Sequence, residues 1–478
     1  MNYNAIAQML GKIMYVTGAM LILPIVVSMI YAEGMELAFF APMATLVVGG
    51  FLLSKIPPNK RNVYIGEGFL IVTLSWLIIS VFGAVPFVIS GYIPSFADAF
   101  FETVSGFTTT GSTILTDIEK LPYSLLFWRS FSHWIGGMGV LVFLLALTTG
   151  KDMRTMYIMR AESPGPKAGK LVSKMKHTAR IMYLIYVFLT VLLVFFLSAG
   201  GMPVFDAIVN AFATAGTGGF AIKNASIAAY NSVYAEYVIA VFMVLFGANF
   251  GIYFLLLRGK FKDMWKNEEV RWYAAIILAA TVIIALIILP EYGVGNSVRK
   301  AFFTVSSTIS TTGFVVENYE LWPTAAKMII FFLMFIGGCT SSTGGGMKVL
   351  RIMVLAKIGL RELKLAGSPR TVKSISIDKK AVDPEIVRGI SAYLIVYVFV
   401  MSISIILISF DDVSLIESIS SVVTCLNNVG PGFERLGAVG NFSHLSDFSK
   451  LILSVDMLMG RLELFPILAL LKPSLWKV

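Results

Sequence analysis

The sequence predicts an all-α polytopic membrane protein, in which four tandem units of helix, re-entrant pore helix and helix follow an accessory helical hairpin. Three observations carry that prediction. The 478 residues are 57% hydrophobic and only 14% charged, with a mean hydropathy of +0.81, a balance that excludes a soluble globular chain. About ten apolar runs have the roughly 20 residues needed to cross a bilayer. Finally, one short pattern occurs four times: FFETVSGFTTTG (100–111), IVNAFATAGTGG (208–219), FFTVSSTISTTG (302–313) and ISSVVTCLNNVG (419–430). Each copy starts apolar, turns to small and hydroxyl-bearing residues and closes on glycine. A polar residue, Asp98, Asp206, Lys300 or Glu417, stands thirteen positions before each closing glycine. The glycines lie 108, 94 and 117 residues apart, which leaves room for two crossings per copy and marks a repeat architecture.

The apolar runs fall at roughly 9–32, 37–56, 66–92, 122–149, 178–199, 233–257, 272–290, 324–358, 388–410 and 448–471. Residues 1–60 read as a hairpin that turns at Ala32-Glu33-Gly34, with its far end at Pro57-Pro58-Asn59-Lys60-Arg61. It carries no copy of the pattern, so it is an accessory pair. Its first run is too long for a removable signal and lacks a basic head and a small-residue cleavage site, so it reads as a permanent span. Four pore repeats follow at 66–150, 177–258, 270–360 and 386–472. This amounts to about ten full spans plus four pore helices around one pseudo-fourfold axis. The connector 151–177, with SPGPKAGK, reads as an exposed basic loop.

Lys and Arg set the orientation. With both termini cytoplasmic, inner loops hold 28 of the 38 basic residues and outer segments eight, while Lys12 and Arg461 stay inside spans. The positive-inside rule then places both ends inside and makes the span count even. The net charge of +10 is accounted for by that inner face and anionic lipid, so no nucleic acid is implied. Acidic residues show the reverse bias: Asp98, Asp117, Glu119, Asp206, Glu291, Glu317, Glu320, Asp411, Asp412 and Glu417 would face outward. A negative mouth would concentrate cations. The plainer alternative for each residue is a solvated charge on an outer loop.

A helix of about a dozen residues spans roughly 18 Å and cannot cross about 30 Å of hydrocarbon, so it must enter and return on one side. Re-entrant backbone at that depth is tolerated only where protein buries it or water lines it. Four such turns on one axis would present backbone carbonyls able to replace the hydration shell of an alkali cation. The pore helices would aim their partly negative C-terminal ends at the ion. The expected ion-binding positions are Thr109, Thr110 and Gly111; Thr217, Gly218 and Gly219; Thr311, Thr312 and Gly313; and Asn428, Val429 and Gly430. In the second copy GTGGF leaves a choice of glycine, and Gly219 preserves the spacing. The residues before the glycines differ, so the four quarters are unequal and differ from the TVGYG strands of potassium channels.

Other chemistry is poorly supported. Gly216-Thr217-Gly218 has no preceding strand and its dinucleotide pattern breaks at Ala221, while Gly344-Gly345-Gly346-Met347-Lys348 fails the phosphate-loop spacing. Cys339 and Cys425 lack CxxC spacing and read as small buried residues, and His133, His177 and His444 are scattered. In HWIGGMG (133–139) the glycines suggest close helix packing, with His133 a polar anchor. No nucleophile, base or metal constellation supports an enzyme. A Na⁺- or H⁺-coupled secondary transporter is the alternative, although such folds usually carry two inverted repeats rather than four like-oriented ones.

Two features suggest control. Gly337, Gly338, Cys339, Thr340, Ser341, Ser342, Thr343, Gly344, Gly345 and Gly346 interrupt the run 324–358, and such residues are poor helix formers. They are expected to form an irregular loop that obstructs the path until the inner helix moves; a static broken helix is the alternative. Arg461 is a charge inside the last span, which must face water or a partner. An ion pair with Asp456 or Glu463 is one way to satisfy it.

FETVSGFTTTGST (101–113), ATAGTGGF (213–220), STISTTGF (307–314), NNVGPGF (427–433), HWIGGMG, GGCTSSTGGGMK (337–348) and MGRLELFP (459–466) resemble the Trk-type bacterial potassium uptake proteins of the TrkH kind. Their superfamily also holds the KtrB-type and fungal Trk transporters. The likeness covers the whole chain, including the accessory hairpin, which favours the TrkH kind over the shorter KtrB type. It implies K⁺ uptake across the bacterial inner membrane, with K⁺ as the transported ion and no cofactor in this chain. It also implies a homodimer with a pore in each protomer, in contact with membrane lipid, and a cytosolic TrkA-type partner that carries the nucleotide, ATP/ADP or NAD. It places Arg461 in the pore below the filter, as a barrier to cations. Preference for potassium over sodium rests on this resemblance.

Overall fold

A computed structural model describes residues 1–57, 65–139, 172–257, 259, 261–368 and 374–472, with backbone alone at 65, 172–178, 261 and 263. The expected connector 151–177 and the inner end of the first hairpin therefore lie largely outside the described residues. The described residues are predominantly helical, and the one ribbon among them is a two-stranded antiparallel pair, Ser376–Ile377 with Lys380–Ala381.

The hairpin is built of Tyr3–Met20, Ile22–Tyr31 and Glu36–Ser54 and turns at Ala32, which is left-handed at φ 52°. Close packing of Gly11 on Gly50 holds its two arms together, because a Cβ on either would press on the other's carbonyl oxygen. The hairpin is tied to the first repeat by Glu33, which accepts the N–H of Ser124 at 3.0 Å and that of Tyr123, the free donors at the start of Tyr123–Met138.

Four units follow. Their outer helices are Ile65–Ile89, Val172–Ala199, the first part of Glu268–Ile309, and Pro384–Ile408. The short re-entrant helices are Phe96–Phe107, Val204–Gly216, the part of Glu268–Ile309 beyond the kink at Gly293 (φ 72°), and Leu415–Leu426. Hydroxyl caps start two of them, with Ser95 accepting from Asp98 N–H and Ser414 from Glu417 N–H. The repeats predicted from the spacing of the glycines are therefore present as helix, half-helix, turn and helix.

Two inner runs expected to be continuous, 233–257 and 448–471, are broken, while 324–358 is interrupted at 337–346 as expected, and 122–149 is described only as far as Gly139. The inner helices of the four units are short. They are Tyr123–Met138, Val233–Gly247, Thr324–Ile336 and Asp447–Arg461, of 16, 15, 13 and 15 residues. The second bends by 92° into Phe250–Leu257, and the fourth passes through Glu463 and Leu464, both at positive φ, into Phe465–Leu470. Among the described residues six helices are long and apolar enough to span without a break, or seven if the bent pair counts as one. The run 233–257 read as one continuous span because its residues are mostly apolar, with Glu236 and Asn249 the exceptions. The groups that satisfy its broken backbone come from the distant segment 337–346.

Candidate ion-conduction site

The four turns share one backbone conformation. At the end of each re-entrant helix the residue two before the closing glycine is left-handed: Thr109 (φ 56°), Thr217 (φ 55°), Thr311 (φ 59°) and Asn428 (φ 54°). The glycines Gly111, Gly219, Gly313 and Gly430 are also at positive φ, between 75° and 100°. Paired hydrogen bonds recur in every copy. Thr110 N–H reaches Ser105 O at 2.9 Å, Gly218 N–H reaches Ala213 O at 2.9 Å, Thr312 N–H reaches Ser307 O at 2.8 Å and Val429 N–H reaches Thr424 O at 2.9 Å. Each left-handed residue also donates three positions back, at 3.0–3.2 Å. This is the Schellman end of a helix, normally closed by glycine. Threonine or asparagine there costs about 1–2 kcal/mol per residue. Such strain persists only where the surroundings over-determine it, as at ligand-binding turns.

The turns close a ring. A Cβ on Gly111 would overlap the carbonyl oxygen of Gly218, one on Gly219 that of Thr312, one on Gly313 that of Val429, and one on Gly430 would lie 2.7 Å from that of Thr110. The order is 1, 2, 3, 4 and back to 1, so the four carbonyls preceding the glycines form one layer. Side chains of this layer turn into the scaffold: Thr110 Oγ1 meets Thr108 and Asn428, Thr312 Oγ1 meets Ser310, and Val429 packs in the core. The backbone oxygens are what the layer can offer an ion. Beyond it, a cavity of about 130 Å³ touches Gly111, Gly219, Gly313 and Gly430 together.

The face expected to be external is less negative than its composition suggested. Asp98 pairs with Lys450 at 2.5 Å, Glu119 with Lys223 at 3.3 Å, Asp117 with Lys120 at 3.1 Å, and Glu317 with Lys300. Glu417, expected on the exterior, is 3% exposed and bonded to His444. The carboxylates are spent on local partners, which weakens any long-range steering field. Asp117 in the outer loop stays ionised, because the hydrogen bond from Asn224 and its neighbour Lys120 hold its carboxyl below the usual range.

The segment 337–346 lies directly behind the ring. Gly345 N–H donates to Thr311 Oγ1 at 2.6 Å and Gly346 N–H to Asn427 O at 2.9 Å, so it touches the third and fourth turns. Cys339 N–H donates to Gly247 O at 2.8 Å and Ser341 O accepts Phe250 N–H at 3.2 Å. Those contacts fill the break in the second inner helix, where backbone at membrane depth must find partners within the protein. Glu269, 3% exposed, clamps the other edge: it accepts from Thr340 N–H at 2.5 Å, Thr340 Oγ1 at 2.9 Å and Asn249 Nδ2 at 3.0 Å.

Arg461 ends the fourth inner helix and donates to Thr343 O at 2.8 Å, to Gly137 O at 2.7 Å and to Gly136 O. It joins the intramembrane segment to the broken end of the first inner helix. The ion-pair alternatives are not what is seen, because Glu463 pairs with Arg351 and Asp456 bonds to Ser404 Oγ at 2.8 Å. Gly136 and Gly137 do pack closely, against Phe107 O and Gly216 Cα, and their carbonyls also receive the guanidinium.

Sequence reasoning passed over Glu102 and Arg129. They form a fully buried ion pair at 2.7 Å behind the first turn, with Glu102 accepting Ile114 N–H at 3.0 Å and Thr113 Oγ1 at 2.9 Å. The signal was available in the lone glutamate of a re-entrant helix and the lone arginine of the next apolar run. Glu102→Ala should destabilise the protein by about 3–5 kcal/mol, the cost of leaving one buried charge unpaired. Thermal unfolding in detergent checks this.

A family model described as "Cation transport protein", TrkH, matches residues 37–477. The chain is 37% identical over the full length of both chains to the Trk system potassium uptake protein TrkH of Salmonella typhimurium. It is 28% identical to the Trk system potassium uptake protein TrkG of Escherichia coli, over all of this chain and 99% of the relative. The crystal structure of the potassium transporter TrkH from Vibrio parahaemolyticus superposes with a TM-score of 0.90 at 31% identity, covering both chains completely. With repeats, re-entrant helices and full-length likeness in agreement, the chain belongs to the TrkH family of cation transport proteins.

Proposed function

We propose that this chain is the membrane subunit of a bacterial potassium-uptake system and carries K⁺ through the ring of four turns. The observation that carries this reading is the closed cycle in which each closing glycine abuts the carbonyl of the next copy. Oxygen ligands without a side-chain carboxylate suit a weakly hydrated monovalent cation, since binding must be loose enough for release. Thr109 Oγ1 is buried without a hydrogen-bond partner and offers a further oxygen beside the ring. The full-length relatives named for potassium uptake support the choice of ion.

In this reading the protein lies in the inner membrane with both termini cytoplasmic, as the 28 basic residues of the inner loops against eight outside suggest. The segment 337–346 and Arg461 form the closed gate. The segment blocks the ring from the cytoplasmic side, and the fixed positive charge repels a cation at low dielectric. A homodimer controlled by a cytosolic, nucleotide-binding TrkA-type partner completes the assembly. Growth of a potassium-uptake-deficient bacterium at low external K⁺ tests the assignment: this chain with its TrkA-type partner restores growth, and failure of the correctly inserted pair would reject it. Glu269→Ala removes both hydrogen bonds that anchor Thr340 of the gate segment and should raise rubidium flux several-fold in liposomes, since a hydrogen bond to a charged group contributes about 1.5–3 kcal/mol. An unchanged flux would free Glu269 of any part in closure.

A further inference from the structure

The second turn is built differently from the others. In the third copy the pore helix holds its own outgoing strand, with Ser307 Oγ donating to Phe314 O at 2.7 Å. In the fourth, Ser420 Oγ accepts Phe433 N–H at 3.3 Å. The second copy has Ala213 where the third has Ser307, both six residues before the glycine, and so has no hydroxyl to play that part.

The first inner helix supplies the missing contacts. His133 and Arg129, one turn apart on Tyr123–Met138, enclose Phe220, the residue after Gly219. The His133 ring lies 4.2 Å from the Phe220 ring, and the Arg129 guanidinium 4.1 Å from it. Phe220 N–H donates to His133 Nε2 at 3.2 Å, and Arg129 Nη1 donates to Ala221 O at 3.1 Å. On its far side His133 Nδ1 lies 2.7 Å from Gly106 O at the end of the first pore helix. A backbone N–H can only donate and a carbonyl can only accept, so the ring must be neutral with its proton on Nδ1. The same contact explains the extra glycines of GTGGF: a Cβ on Gly216 would overlap His133 O, and one on Gly218 would overlap the imidazole ring.

We propose that His133, supported by Arg129, is a specificity-determining positioning residue: it fixes strand 218–221 and thereby the Gly218 carbonyl in the ion-binding ring. This inference rests on the reading of the ring as the conduction path. Its test compares three substitutions in purified protein reconstituted in liposomes, scored by the ratio of K⁺ to Na⁺ flux and by the amount of folded protein. His133→Phe keeps the packing and removes both hydrogen bonds. His133→Asn keeps a donor for Gly106 but is too short to reach Phe220 N–H, while His133→Gln reaches it.

The ratio should fall about tenfold in H133N, the size expected for one lost hydrogen bond of about 1.4 kcal/mol, and at least as far in H133F, which loses two, while H133Q should restore most of it. H133N carries the test if H133F does not accumulate. A selective wild type with an equally selective H133N would overturn the positioning role, as would equal losses in H133N and H133Q. A wild type that does not discriminate between the ions would instead reject the conduction reading on which the inference stands.

Discussion

Gly219→Ser is expected to reduce potassium uptake at least about a hundredfold, the scale of a ~1 Å displacement at a preorganised site. Two independent effects converge at this position. The backbone sits at φ 75°, where a residue with a Cβ is strained, and that Cβ would occupy the place of Thr312 O in the neighbouring turn. The ring would have to open at the junction of the second and third copies. Because the four contacts form one cycle, Gly111→Ser and Gly313→Ser should act in the same way. Gly430→Ser should be the mildest of the four, since its Cβ would meet Thr110 O at 2.7 Å, the loosest of the four contacts. Uptake per unit of membrane-inserted protein checks the order.

Arg461→Ala is expected to do the opposite and raise flux at saturating K⁺ by about tenfold or more. The guanidinium clasps Thr343 O on the gate segment and the carbonyls of Gly136 and Gly137 on the first inner helix. Each bond from a charged donor contributes about 1.5–3 kcal/mol to holding that arrangement, and 1.4 kcal/mol is a factor of ten. In the proposed closed gate, removing the charge also removes the electrostatic barrier to a cation. Arg461→Lys should fall between, because an ammonium keeps the charge but loses the planar fork that reaches carbonyls on two elements. Flux of rubidium in liposomes separates these variants, and a slower Arg461→Ala would assign the residue to support of the pathway instead of closure.

The parts of this architecture that were legible in the sequence are those written in local periodicity. The four turns could be aligned because the left-handed position and the closing glycine leave the same small and hydroxyl-bearing pattern at 98–112 and at its three counterparts. The irregular segment 337–346 was legible as a break because ten poor helix formers stand together inside an apolar run. The break of the second inner helix was not, since Asn249 is the single polar residue in 246–250 and the partners of the broken backbone, Cys339 and Ser341, lie about ninety residues away. Charge pairing was equally hidden. Lys450 meets Asp98 across 352 positions and Arg351 meets Glu463 across 112, and nothing in a linear sequence links them. The acidic bias of the outer loops therefore suggested an open negative mouth, where the fold had already committed most of those carboxylates to bases.

The copies are also unequal in a manner the alignment alone could not interpret. GTGGF offered a choice of glycine, and the fold uses all three. Gly219 makes the ring contact, while Gly216 and Gly218 clear space for His133. A departure from the repeat thus marks the place where a different element holds the strand.

We propose that K⁺ passes through the ring by itself, uncoupled to Na⁺ or H⁺. Voltage-driven current from the purified protein with its TrkA-type partner in a planar bilayer, recorded under a K⁺ gradient alone and with Na⁺ and pH symmetric, tests it most directly. The expected result is a K⁺ conductance that reverses at the potassium equilibrium potential and disappears with Gly219→Ser. A reversal potential set by a fixed K⁺:Na⁺ or K⁺:H⁺ ratio, or a conductance that survives Gly219→Ser, would contradict it.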